Sequence, residues 1–281
     1  MPKEMRTSAL ISTDRALKLI NEENAIVLDA TIDKVNQKID NSRLELIPNS
    51  QFFDIEGFFS DHSTGLPHTM VSPEQFSKGA RKLGINHDST VILYDRWGVY
   101  SSPRAWWMFR YMGLEKVYVL NGGQPAWKSA GLPVVNQYGA PDSLGDYNAK
   151  PNYEWFIGKD ELVERLGDDD FTITDARSSG RFHGTAPEPR EGLRSGHIPG
   201  SKNLPFNLVL DGITVRNEKE LQGLFDRKID SGKQNIFTCG SGVSAAILAL
   251  AAYQLGSNYV TIYDGSWSEW GADPEAPVAT D

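Results

Sequence analysis

Short apolar runs alternate with longer helix-forming stretches along most of the chain. Six runs, AIVLD (25–29), TVILYD (90–95), KVYVL (116–120), FTITD (171–175), NIFT (235–238) and YVTIYD (259–264), are rich in β-branched residues and do not alternate with polar ones. Strands of that kind suit a parallel sheet covered on both faces, where neither side meets water. Between them, SPEQFSKGARKLG (72–84), SPRAWWMFRYMG (102–113), KDELVERLG (159–167), NEKELQGLFDRK (217–228) and VSAAILALAAYQLG (243–256) predict helices, and a helical pattern also opens over 13–20. Several start after Ser or Asn, whose side chains satisfy the free N–H groups of a first turn, and several stop at Gly, which tolerates the left-handed residue that ends many helices.

The pattern occurs twice. Residues 90–127 and 235–270 each read as a buried strand, a short polar loop, an apolar helix, a glycine, a second strand and a Gly-rich turn ending in tryptophan. Asp95 falls opposite Cys239, and Trp127 opposite Trp270. Upstream, Ile47-Pro48-Asn49 matches Ile198-Pro199-Gly200, and Asp29-Ala30 matches Asp175-Ala176. Strand–helix alternation repeated in this way predicts two α/β domains, each a mainly parallel sheet flanked by helices. We place them at 1–137 and 153–281, joined by a polar linker rich in Gly, Pro and Asn over 138–152.

A length of 281 residues agrees with two domains. The net charge of −9 disfavours nucleic acid as a partner, so an anionic substrate must find a local basic site. No apolar run reaches membrane-spanning length, and the opening MPKEMRTSALIS lacks the apolar core of a secretion signal. One cysteine in the whole chain excludes an internal disulfide framework or a multi-cysteine zinc site and points to a reducing compartment, the cytoplasm.

That cysteine has an informative setting. A free Cys often packs as a small inert hydrophobe. Cys239, however, ends an apolar strand and is followed by Gly240-Ser241-Gly242 and then an apolar helix. Such a turn can aim consecutive backbone N–H groups at one point, and the helix start adds its positive dipole end, so an anionic sulfur is favoured there. Asp95 in the other copy leaves thiol chemistry to the second half. A cysteine phosphatase would need Arg six residues after the nucleophile, where Ala245 stands. For a papain-like protease, His62, His68, His87, His183 and His197 show no partner signature.

FFDIE (52–56), LPHTM (66–70), SPRAWWMFR (102–110), DARSSGRFHGTAPEPREGLRSGHIPG (175–200), CGSGVSA (239–245) and YDGSWSEWG (263–271), in this order, resemble the tandem rhodanese superfamily of sulfurtransferases over nearly the whole chain. The resemblance implies a catalytically silent first domain and Cys239 as a persulfide-forming nucleophile in the second. It implies that Arg181 and Arg190, nine residues apart in a Gly/Pro-rich loop, grip a substrate carboxylate, although such arginines can also be tied to Glu188 or Glu191. Arg177 is expected in an ion pair within its domain and Arg194 at the surface. The resemblance also brings His68 and Glu56, with Asp54 as the alternative acid, across from the silent domain to Ser241 as a proton relay. The backbone of Gly240, Gly242, Val243 and Ser244 is expected to hold the anionic sulfur. Family members that prefer thiosulfate carry Arg and Lys in the loop. Cys-Gly-Ser-Gly-Val-Ser has no charge, which favours 3-mercaptopyruvate as donor, with a thiosulfate sulfurtransferase or a protein-to-protein sulfur relay as alternatives. The implied acceptors are small thiols, cyanide or reduced thioredoxin, and no metal or organic cofactor is implied. The tryptophans are expected in the core and at the domain interface.

Overall fold

A computed structural model describes residues 8–23, 25–226, 228–229, 233–257 and 260–280. The first half runs through β1 (Leu10–Ile11), α1 (Thr13–Glu23), β2 (Ile26–Asp29), β3 (Gln51–Phe52), α2 (Pro73–Lys82), β4 (Val91–Tyr94), α3 (Ser102–Tyr111), β5 (Val117–Leu120) and α4 (Gly123–Ser129). The second half runs through β6 (Phe156–Ile157), α5 (Lys159–Glu164), β7 (Phe171–Asp175), α6 (Ser179–Phe182), β8 (Lys202–Asn203), a hairpin of β9 (Leu210–Asp211) and β10 (Thr214–Val215), α7 (Glu218–Phe225), β11 (Gln234–Thr238), α8 (Val243–Gln254), β12 (Val260–Tyr263) and α9 (Ser266–Trp270).

Among the described residues the six β-branched runs supply the three inner strands of each of two parallel five-stranded sheets of identical order, β1-β5-β4-β2-β3 and β6-β12-β11-β7-β8, with two-residue strands at the edges. Every residue of β4 and of β12 is buried, as strands covered on both faces must be. β4 and β11 occupy the middle of their sheets, so Asp95 and Cys239 leave equivalent positions at the carboxyl ends of central strands, where ligands of open α/β sheets collect. Ser72 and Asn217 cap α2 and α7 by accepting from the amides of Gln75 and Glu220.

The Gly-rich turns expected before Trp127 and Trp270 are instead the helices α4 and α9, of seven and five residues. Helices so short complete barely a turn or two, and a 3.6-residue apolar period cannot register in them. Three positions of the sequence reading lie outside the described residues: the start of the N-terminal segment (1–7), Arg227 near the end of the predicted helix 217–228, and Tyr259 at the start of YVTIYD.

α8 has no charged residue, and its central positions Ala245 to Ala252 are fully buried. It packs against α3 of the first half, and one continuous apolar core takes in residues from both halves. Trp106 stacks edgewise on Tyr253 at 5.3 Å and tilts against Trp155 at 5.5 Å, while Trp107 Nε1 donates to the Trp155 carbonyl at 3.0 Å. Segment 138–152 is a strap along the first half. Its amides at Gly145, Tyr147, Lys150 and Asn152 donate to Arg81, Ile85, Met112 and Tyr111. The shared core fixes the two halves against each other, which matters because the site is made from both. Among the described residues no helix is long and apolar enough to cross a membrane.

Candidate active site

Cys239 sits at the end of β11, 1% exposed. The turn that follows is held from one side by α9: the amides of Trp267 and Ser268 donate to the carbonyls of Cys239 and Gly240, each at 2.9 Å, and Ser268 Oγ donates to Gly240 at 2.6 Å. These bonds occupy the carbonyls of Cys239 and Gly240. Gly242, at φ +80°, precedes α8 without a side-chain cap, so the first amides of α8 keep their donors for an anion beside Cys239. Val243 packs its side chain in the core and can contribute only backbone, and Ser244 is half-buried in the first turn.

The equivalent turn of the first half is filled by a side chain of its own. Asp95 Oδ2 accepts from the amides of Tyr100, Ser101 and Ser102 at 2.8–3.0 Å and from Ser102 Oγ at 2.6 Å, and Oδ1 accepts from Trp97 N at 3.0 Å. The fold has filled its first nest with its own carboxylate. Asp95→Ala should strand these buried donors, costing about 3 kcal/mol and lowering Tm by roughly 5–10 °C in thermal unfolding. An unchanged Tm would show that the nest is satisfied without the carboxylate.

Arg181 and Arg190 converge on Gly240. A Cβ built there would lie 3.1 Å from Arg181 Nη2 and 3.6 Å from Arg190 Nη1, so a side chain at this position would crowd the Arg181 guanidinium. The two arginines are not equivalent. Arg181, at the end of the short helix α6 rather than in an irregular loop, gives Nε and Nη2 to Glu188, whose side chain is 1% exposed. Glu188 also takes Arg177 Nη1 at 2.9 Å, while the rest of the Arg177 guanidinium is spent on Asp175 and the Gly196 carbonyl. Half-buried Arg190 makes no hydrogen bond or ion pair among the described residues and has its whole fork to offer a carboxylate. Arg177 is thus in an ion pair, as expected, but Arg194 is not a loose surface residue. Half-buried, it donates to the carbonyls of Trp270, Gly271 and Asp273 and closes the end of α9, where a cation meets the negative dipole end.

The contact between the halves brings His68 to the loop. Its Nδ1 lies 3.0 Å from Ser241 Oγ and its Nε2 3.5 Å from Glu56 Oε1. In the tautomer with the proton on Nε2, the nitrogen facing Glu56, Nδ1 would accept from the Ser241 hydroxyl. Of the two candidate acids, Glu56 makes this contact, at 56% side-chain exposure. Asp54 is occupied locally, accepting from the amides of Gly57 and Phe58. Sequence reasoning passed over Tyr100. Burial, followed by the nearby Cys239 and Asp95 charges, pushes its phenol up to about 12 against the pull of Arg190, so it stays an O–H donor beside the thiol.

Fold and site define a class: a duplicated α/β protein in which one half carries a thiol, and the other its own carboxylate, at an anion-binding turn. The Rhodanese family, described as a rhodanese-like domain, matches residues 12–130 and 158–273. The chain is 37% identical to the 3-mercaptopyruvate sulfurtransferase of Escherichia coli (strain K12), over 98% of this chain and 99% of that one. It is 37% identical to thiosulfate/3-mercaptopyruvate sulfurtransferase 1, mitochondrial, of Arabidopsis thaliana, over 96% of this chain and 77% of that one. The crystal structure of SseA from Escherichia coli, described among the 3-mercaptopyruvate sulfotransferases, aligns with a TM-score of 0.82 at 33% identity, covering 93% of this chain and 99% of that one. The chain belongs to the rhodanese family.

Proposed function

We propose that the protein is a sulfurtransferase that takes sulfur from 3-mercaptopyruvate onto Cys239 as a persulfide, releases pyruvate, and passes the sulfur to a thiol or to cyanide. The observation that carries this reading is the pair of guanidinium groups over Gly240, next to the lone thiol, above a loop with no charge of its own. A monoanionic keto acid needs its carboxylate held a few bonds away from the reacting sulfur, which is what cations at the rim and neutral donors at the thiol provide. Thiosulfate places its charge at the reacting group and would want cations within the loop itself.

In the first step the Cys239 thiolate attacks the substrate sulfur. The carbon–sulfur bond breaks, its electron pair enters the enolate of pyruvate, and the methylene carbon takes up the proton that the substrate thiol gives up. Arg190 and the outer edge of Arg181 fix the carboxylate, and the Ser241–His68–Glu56 chain moves the proton. Amides of residues 240–244 hold the anionic outer sulfur. In the second step a small thiol, reduced thioredoxin or cyanide attacks that sulfur and Cys239 leaves as thiolate. Neither step calls for a metal or an organic cofactor, and a thiol that must stay reduced between turnovers suits the cytoplasm.

The kcat/KM for 3-mercaptopyruvate should exceed that for thiosulfate by about 10- to 100-fold in steady-state assays with a common thiol acceptor. A preference for thiosulfate would make the protein a thiosulfate sulfurtransferase. Poor rates with every small acceptor, beside fast transfer to one protein, would make it a sulfur-relay component.

A further inference from the structure

His68 belongs to the first half, yet the LPHTM segment around it (66–70) has no regular structure of its own to hold a side chain in place. Its backbone sits at φ +61°, the left-handed region in which a non-glycine residue crowds its own carbonyl. Such a conformation persists only where the surroundings over-determine it. Within the first half the segment is tied by a bridge from Met70 to Ser60 and by the Asp61 amide on the Thr69 carbonyl, and across the halves it is tied by a buried ion pair. Arg104 on α3 reaches Asp264, just after β12 in the other half, through Nη2 and Oδ1 at 2.5 Å, with side chains 0% and 2% exposed. Arg104 Nη2 also donates to the His68 carbonyl at 2.6 Å, and the Met70 amide donates to Asp264 Oδ2 at 2.7 Å. The pair therefore grips the chain on both sides of Thr69.

The same guanidinium lies against the catalytic loop. A Cβ on Gly242 would stand 2.9 Å from Arg104 Nη1 and 3.3 Å from the Asp264 carbonyl. Arg104 Nε and Nη1 are buried without a hydrogen-bond partner, and its Cζ stands 4.5 Å from the centre of the Trp107 ring. A fully buried arginine with donors unspent is an expensive way to join two domains that already share an apolar core. Its contacts make sense as a way of setting His68 and Gly242 relative to each other.

We propose that Arg104 and Asp264 form a positioning pair: by clamping His68 to Met70 across the two halves they aim the His68 ring at Ser241 and seat the turn at Gly242. The inference rests on the Ser241–His68 relay of the proposed function. The test is a double-mutant cycle in the full-length chain, with Arg104→Lys and Asp264→Asn each made alone and with His68→Gln, and kcat and KM measured with 3-mercaptopyruvate. Lysine keeps the charge but cannot fork to both partners, and asparagine keeps an acceptor for Met70 without the charge. Each should lower kcat by about 10- to 100-fold while KM moves less than about 3-fold, since the carboxylate is held elsewhere. In the His68→Gln background the further loss should shrink to within about 3-fold, because the pair acts through His68. If Arg104→Lys does not fold, the near-isosteric Asp264→Asn carries the cycle. Losses that multiply with that of His68→Gln, or that fall on KM, would overturn the clamp while leaving the relay standing. A kcat indifferent to His68→Gln would overturn the relay and the clamp with it.

Discussion

Cys239→Ser should lose turnover of 3-mercaptopyruvate by at least about 10⁴-fold, the scale expected when a nucleophile is replaced by one that cannot carry the intermediate. A serine hydroxyl is not ionised at working pH, and its oxygen cannot become the inner atom of a persulfide. The chain has no second cysteine, so no neighbouring thiol can substitute. The decisive readout is intact-protein mass after incubation with 3-mercaptopyruvate and no acceptor. The wild-type chain should gain one sulfur atom and the variant none, with near-UV circular dichroism confirming that the buried site still folds. Continued turnover by the serine variant would place the nucleophile outside the protein and remove the persulfide from the mechanism.

Arg190→Ala should lower kcat/KM by roughly 10²-fold, chiefly through KM, because a charge-assisted fork to a carboxylate is worth about 3 kcal/mol at the upper end. Its internal neighbours lose little, since Arg190 is tied to no acid among the described residues, and Tm should hold. Arg181 makes the contrast. Its guanidinium is spent partly on Glu188, so removing it disturbs an acid that Arg177 must then neutralise alone. Arg190→Lys should recover only part of the loss, as an ammonium supplies charge without the planar fork. Steady-state kinetics across the substrate range decides the matter. A KM untouched by Arg190→Ala would mean that the carboxylate binds elsewhere.

Much of this architecture is legible in the chain before folding is considered. Non-alternating β-branched runs mark AIVLD and TVILYD as covered strands, and β2 and β4 lie there. Ser72 and Asn217 announce the helix starts that they cap. Other elements leave no local trace. The two-residue strands at the sheet edges, and the helices α4 and α9, are too short for the periods of strands and helices to repeat along them. The cost of missing α9 is specific, because its amides bind the carbonyls of Cys239 and Gly240.

The site divides along the same line. The sequence by itself determined the duplicated order of strands and helices, the thiol with its aspartate counterpart, and the glycines of the loop, because hydrophobic period, capping and backbone freedom act over a few neighbouring residues. Only the tertiary structure decided that Glu56 rather than Asp54 faces His68, that Arg181 is tethered while Arg190 is not, and that Arg194 closes a helix. It gave the contact of His68 with Ser241 across 173 positions, which the family resemblance implied, its geometry, and it alone joined Arg104 to Asp264 across 160. Contacts at that separation depend on how two apolar cores merge along α3 and α8, and no local stretch of sequence contains that information.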